Sequence, residues 1–205
     1  MSFFILFLLA MEELGNRPIK LVVVGDGTVG KTCLLISHAA GYFPEEEYVT
    51  TVFDEEYIEG YIEVDNIRIS LALVDTAGQE DYERLRPLSY PGTDCFLLCF
   101  SVDNNRSYEN ITTKWYPEIR HHCPTTPFIL VGTKTDLREN AEEHSKDKFI
   151  SRTQGKKLAS KIKAAKYVEC SAKETHGVKE VFEETVRAVL SRKHSHIRIH
   201  HCKLL

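Results

Sequence analysis

Among its six cysteines the 205-residue chain has no C-x-x-C pair and no zinc-type spacing, which removes a metal-ribbon or dithiol-redox reading. Cys95 and Cys99 lie in the apolar run TDCFLLCF, where a free cysteine behaves as a small buried hydrophobe. Such usage fits a reducing compartment rather than a disulfide framework. A basic surplus is missing too, and a net charge of -4 argues against a nucleic-acid binder. Long apolar runs are also lacking. The most apolar stretch, FFILFLLA at Phe3–Ala10, falls well short of the ~20 residues that a helical membrane span needs. It also lacks the positive n-region of a signal peptide. No internal repeat or long linker divides the chain.

What is present fits one domain. Apolar residues are 42% and charged residues 27% of the chain, the balance of an ordinary globular protein with room for one sizeable core. Met11 opens a segment, MEELGNRPIKLVVVG, that reads naturally as a start shortly before a first strand. Residues 1–17 are therefore read as an extension dispensable to the fold, with a weak membrane-inserting anchor at Met1–Ala10 as the alternative. Residues 18–192 form the domain, and 193–205 a tail.

Hydrophobic patterning predicts alternating strands and helices. Strands are expected at Lys20–Val24, Glu56–Val64, Ile67–Asp75, Cys95–Ser101, Phe128–Gly132 and Tyr167–Cys170. Helices are expected at Gly30–Ala40, Asn104–Arg120, Thr153–Ala164 and Gly177–Arg192. Asp65-Asn66 marks a hairpin turn, and Pro117 an irregular last turn or kink in its helix. Arg138–Lys148 is the one long irregular insertion. The alternation implies an α/β fold with a mostly parallel sheet covered on both faces.

Gly25-Asp26-Gly27-Thr28-Val29-Gly30-Lys31-Thr32 matches the phosphate-binding pattern G-x-x-x-x-G-K-[ST], and it lies between a buried strand and a helix as the mechanism requires. Glycines let backbone N–H groups wrap phosphate without a Cβ clash. The following helix directs its positive end at the same charge. Lys31 is the expected cation for the terminal phosphates, and the Thr32 hydroxyl a ligand for Mg²⁺. This loop selects a nucleotide phosphate but no base.

Three later segments complete the site. Asp75-Thr76-Ala77-Gly78-Gln79 follows an apolar strand, so Asp75 falls at the carboxyl edge of the sheet, where open α/β folds bind ligands. Asp75 can hold Mg²⁺ through water, Gly78 can meet a γ-phosphate with its amide, and Gln79 can orient the attacking water. Thr133-Lys134-Thr135-Asp136 follows the strand FILVG. Its aspartate can accept from both N1–H and N2–H of guanine, a donor pair that adenine does not offer. Cys170-Ser171-Ala172-Lys173 adds backbone donors for the guanine O6.

The loops GDGTVGKT, DTAGQE, TKTD and SAK, in this order, resemble those of the Ras superfamily of small GTPases. YVTTVF, DTAGQEDYERLRPLSYP, KWYPEIRHHCP and the terminal CKLL are similar to the Rho family. The resemblance runs from about Pro18 to Leu205. It implies a three-layer P-loop G domain with a six-stranded, mostly parallel sheet, one antiparallel edge strand and about five helices. It also implies a GTP/GDP-cycling switch that hydrolyses GTP slowly and uses Mg²⁺. Gly27, Thr28, Val29, Gly30, Lys31, Thr32 and Cys33 then surround the phosphates, with Phe43 against the guanine and Tyr48 over the phosphates. Thr51 closes on Mg²⁺ and the γ-phosphate, beside Thr32 and Asp75. Thr133, Lys134, Asp136, Ser171, Ala172 and Lys173 hold the base, while Gln79, Lys31 and Thr51 carry catalysis with Gly78. Val52, Phe53 and Asp54 form the effector loop, and Tyr82 to Leu88 the second switch. Expected partners are an exchange factor, a GTPase-activating protein, a GDI-like chaperone and effectors such as formins or kinases, with control of actin organisation as the output. A monomer is expected.

Departures from the family pattern fall where partners bind. The stretch between Pro44 and Thr51 is one residue longer, Val74 replaces an aromatic residue, and Glu55 stands where many relatives have asparagine. The segment from Leu137 to Gln154 is about five residues shorter, so the family's inserted helix is expected to be truncated or absent, with one turn possible in Glu142–Phe149. Cys202-Lys203-Leu204-Leu205 fits a geranylgeranylation signal. With Arg192, Lys193 and Arg198 as a modest basic supplement, it predicts a protein of the cytoplasm and the inner face of membranes. Two other readings fit less well. A P-loop kinase would need an acceptor site and an arginine-rich lid, and the chain shows neither; a nucleotide-locked scaffold would not hydrolyse, and Gly27 and Gln79 speak against it.

Overall fold

The computed structural model describes residues 17–44, 58–79 and 82–202, the last ten of these as backbone only. Six strands form one sheet: β1 (Ile19–Val24), β2 (Ile58–Val64), β3 (Ile67–Val74), β4 (Cys95–Ser101), β5 (Phe128–Thr133) and β6 (Lys166–Glu169). Their order is β2-β3-β1-β4-β5-β6. Only the β2–β3 pairing is antiparallel; β3, β1, β4, β5 and β6 run parallel. Asp65 and Asn66 both take positive φ, 52° and 64°, the geometry that a two-residue hairpin between twisted strands demands.

Side chains alternate across a strand, and this chain fills both sides. Leu21 and Val23 of β1 join one core with Leu34 and Leu35 of α1 (Lys31–Ala40) and with Val181, Phe182 and Val186 of α6 (Val178–Cys202). Val22 and Val24 face the other core. There they meet Ile111, Trp115 and Ile119 from the helical unit α2 (Asn105–Asn110) and α3 (Tyr116–His122), and Leu158 and Ile162 of α5 (Arg152–Ile162). The expected three-layer α/β fold is thus observed. Strand order reverses at β1, whose neighbours are β3 and β4. The crevice beyond its carboxyl end is where such sheets bind ligands.

Two local expectations needed revision, and a third held. The helix after β4 is irregular one turn earlier than foreseen: Ile111–Trp115 is a π-turn, closed by the Tyr116 N–H donating to the Ile111 carbonyl. Pro117 is the cause, since its ring crowds the carbonyl of Thr113 and it has no N–H to give. The final helix does not end near Arg192 but continues to Cys202, because no glycine or proline interrupts residues 178–202. Between Asp136 and Ser151, α4 (Thr135–Glu139) is followed by one six-residue 3-10 helix, Glu143–Lys148. The expected truncation of the insertion is therefore seen. Among the described residues no helix is long and apolar enough to cross a membrane.

Candidate functional site

At the carboxyl end of β1 the backbone leaves the sheet through residues that few side chains tolerate. Gly25 has φ 148°, Thr28 64° and Gly30 94°. A Cβ on Gly25 would lie 2.2 Å from the Cys99 carbonyl oxygen, so packing against β4 excludes any side chain there. At Gly27 an added Cβ would meet no atom of the described residues within 4 Å. Its missing side chain serves the space in front of the loop rather than the protein's own packing.

Lys31, the first residue of α1, is 6% exposed, and its Nζ donates to the carbonyls of Gly25 (3.0 Å) and Asp26 (2.9 Å). Burial pushes this ammonium below its ordinary pKa, and the nearby Asp75 carboxylate pulls it back up. A desolvated cation whose hydrogen bonds among the described residues go to neutral carbonyls is well placed to gain from an anion. Thr32 follows, and its hydroxyl donates to Asp75 Oδ2 at 2.5 Å. A hydroxyl and a carboxylate are hard oxygen donors of the kind Mg²⁺ takes beside phosphate oxygens. Among the described residues no cluster of three or more His, Cys, Asp or Glu could hold a metal by itself. The donor set therefore suits an ion held jointly with a phosphate.

Gly78 lies directly against the phosphate loop. A Cβ there would be 2.4 Å from both the Asp26 carbonyl carbon and the Gly27 nitrogen. The Thr76 hydroxyl donates to the Val23 carbonyl at 2.6 Å, pinning this segment to β1. Gln79 is exposed and borders the cavity. Further along, Tyr82, Leu85 and Leu88 form a chain of short turns, with Leu85 and Leu88 exposed and Arg86 only 1% exposed.

A cavity of about 330 Å³ runs along these loops, a size suited to a small-molecule ligand. It is lined by Gly27, Thr28, Gly30, Lys31, Thr32 and Cys33 of the phosphate loop, by Gly78 and Gln79, and by Phe43, Thr133, Lys134, Asp136, Ala172 and Lys173. Val29 and Ser171 are fully buried behind the wall. Their role is to join loops: the Thr133 hydroxyl donates to the Val29 carbonyl at 2.6 Å, and Ser171 Oγ donates to Asp136 Oδ1 at 2.6 Å. Lys134 takes the left-handed conformation, φ 59°, and its Cε stands 3.8 Å from where a Gly30 Cβ would be. The aliphatic part of Lys134 thus covers the phosphate loop. A strained non-glycine residue of this kind is common at ligand sites.

Tyr48, Thr51, Val52, Phe53 and Asp54 lie outside the described residues, as do residues 1–16. The side chain of Cys202 does too. Sequence reasoning overlooked Leu34, Ala77 and Leu137 as lining residues, and it took Ser171 for its backbone alone. It also passed over Asp26, whose carboxylate is held by Asn110 and Trp115. Nothing local in the sequence signals that contact, which spans more than 80 residues.

Comparison with known proteins agrees with this geometry. The model of the Ras family matches residues 20–191. Over 189 residues the chain is 52% identical to the Ras-like GTP-binding protein RhoL of Drosophila melanogaster, covering 92% of this chain and 95% of that one.

Proposed function

The chain belongs to the Ras family, a small GTPase that binds GTP and GDP as a molecular switch, and from that premise we propose how its own residues work and where it signals. The observation that carries the reading is the presence, in the lining of one cavity, of both a desolvated Lys31 and a buried Asp136. The cation suits a polyphosphate and the carboxylate a guanine edge.

Backbone N–H groups of residues 27–33 and the start of α1 bind the phosphates, and Lys31 neutralises the β- and γ-oxygens. Thr32 and Thr51, with Asp75 acting through water, would hold Mg²⁺, which would offset charge on the phosphate oxygens. Gln79 orients a water in line with the γ-phosphate, and Gly78 donates its amide to the phosphate. Water attacks phosphorus, the bond to the β-phosphate oxygen breaks, inorganic phosphate and the water's surplus proton leave, and GDP stays bound until it is exchanged. Thr51 and Gly78 lose their γ-phosphate contacts, so the effector loop at Val52–Asp54 and the second switch at Tyr82–Leu88 relax. An activating protein that supplies an arginine accelerates the step by about 10³–10⁵-fold.

The finer placement is in the Rho branch, controlling actin organisation at membranes. It is supported by the motifs YVTTVF, KWYPEIRHHCP and CKLL and by the name of the RhoL relative. In this reading Cys202 carries a geranylgeranyl chain, and a GDI-like chaperone shields it in the cytoplasm. Exchange and activating factors set the nucleotide, and effectors such as formins or kinases bind the GTP form. Competition of a fluorescent GDP by GTP and ATP tests the site. Displacement by GTP at over 100-fold lower concentration than ATP is expected, and equal displacement contradicts it. Mass spectrometry of the natural protein tests the anchor: an unmodified Cys202 removes it.

A further inference from the structure

Two side chains from the helical unit after β4 converge on Asp26, the second residue of the phosphate loop. Asn110 Nδ2 donates to Asp26 Oδ2 at 2.7 Å, and Trp115 Nε1 donates to Oδ1 at 2.6 Å. Both carboxylate oxygens are therefore engaged. Asn110 and Trp115 are five residues apart, a spacing that in an α-helix rotates side chains about 140° from one another. A turn closed between residues i and i+5 winds less per residue and so narrows that angle. The chain makes that turn between them, at Ile111–Trp115. The π-turn thus directs two donors at one carboxylate.

The same indole serves a second loop. The Arg86 guanidinium lies 4.4 Å over the Trp115 ring, and its Nη1 donates to the Ala77 carbonyl at 2.8 Å. Arg86 Nε is fixed in turn by Glu118 Oε1 at 2.8 Å. Ala77 precedes Gly78, whose missing side chain lets it sit on the backbone of Asp26 and Gly27. Trp115, fully buried, therefore braces both loops that must meet at a γ-phosphate.

We propose that Trp115, through its N–H to Asp26 and its ring beneath Arg86, is a positioning residue for GTP hydrolysis that sets the spacing between the phosphate loop and Gly78-Gln79. It touches no substrate and acts through Asp26 and Ala77. The inference rests on reading the cavity as a guanine-nucleotide site.

The test uses the full chain loaded with nucleotide. Trp115→Phe keeps a ring beneath Arg86 and removes the N–H; Asp26→Asn keeps the shape and removes the charge. Single-turnover GTP hydrolysis, GDP dissociation and the unfolding midpoint are measured for wild type, both single variants and the double. A hydrogen bond to a charged group is worth enough to slow hydrolysis about ten-fold in each single variant. GDP dissociation should change by less than about three-fold, and the double variant should be no slower than the worse single. Trp115 is the chain's only tryptophan, so its emission should shift in Asp26→Asn without unfolding. Hydrolysis at the wild-type rate in folded, loaded variants overturns the proposal, as do multiplying effects in the double or unchanged emission. A wild type that binds no guanine nucleotide overturns the underlying reading instead.

Discussion

The Ser171 hydroxyl donates to Oδ1 of Asp136 across 2.6 Å, and both residues are buried. Asp136 lies in the first turn of α4, after β5, and Ser171 in the segment after β6. The bond orients a carboxylate that would otherwise pay for its burial alone. Asp136 can then offer acceptors to the paired donors on guanine N1 and N2.

Replacing Asp136 with Asn turns one acceptor into a donor. Two charged hydrogen bonds to guanine are weakened at ~1.5–3 kcal/mol each, so GDP affinity should fall roughly 10²–10⁴-fold. Xanthine, with an oxygen in place of the 2-amino group, should gain. Competition binding with GDP and XDP reads the exchange. Unchanged preference for guanine would show that Asp136 does not read the base.

Gly78→Ala places a methyl group 2.4 Å from backbone atoms of the phosphate loop, which cannot step aside as a flexible side chain would. The two loops must separate, and Gly78 can no longer meet a γ-phosphate. Hydrolysis should fall by at least about ten-fold, since the lost interaction belongs to the transition state, while GDP binding stays within a few-fold. Phosphate release in a single-turnover assay checks this, and normal hydrolysis would remove Gly78 from the phosphate contacts.

His38 stacks on Phe182 with ring centroids 3.7 Å apart, and burial pushes its pKa down from 6.5 to about 4. The unfolded chain takes up this proton first as pH falls. Stability is therefore full above about pH 6.5 and declines until about pH 4 is reached. The loss to pH 5 should be roughly 1–2 kcal/mol, discounted for the ring's partial exposure. Urea midpoints of GDP-loaded wild type and His38→Phe at about pH 7 and pH 5 isolate the term. His38→Phe should lose less on acidification, and equal losses would contradict the assignment.

Most of the site was legible because its chemistry is written in contiguous loops at strand ends. Gly25 to Thr32, Asp75 to Gln79 and Asp136 each follow an apolar strand, so their place at one sheet edge followed from the alternation of strands and helices. What escaped were contacts made across the fold. The Asn110 and Trp115 grip on Asp26 depends on a π-turn, and Pro117 announced an irregularity without giving its position or purpose. Arg86 looked like one more charged switch residue, yet it is buried between Trp115, Glu118 and Ala77. The overlong final helix has a plainer cause: basic and histidine residues suggested a tail, but none of them breaks a helix.

Single-turnover hydrolysis by the Mg²⁺-loaded protein tests the central claim most directly, with GTP and ATP compared in wild type and Gln79→Leu. Wild type should cleave GTP on the order of 10⁻⁴–10⁻² s⁻¹, the range of intrinsic rates among GTP-hydrolysing switches, and leave ATP untouched. Gln79→Leu should bind GTP as tightly and hydrolyse it at least about ten-fold more slowly. Equal cleavage of ATP, or a Gln79→Leu variant as fast as wild type, would contradict the account.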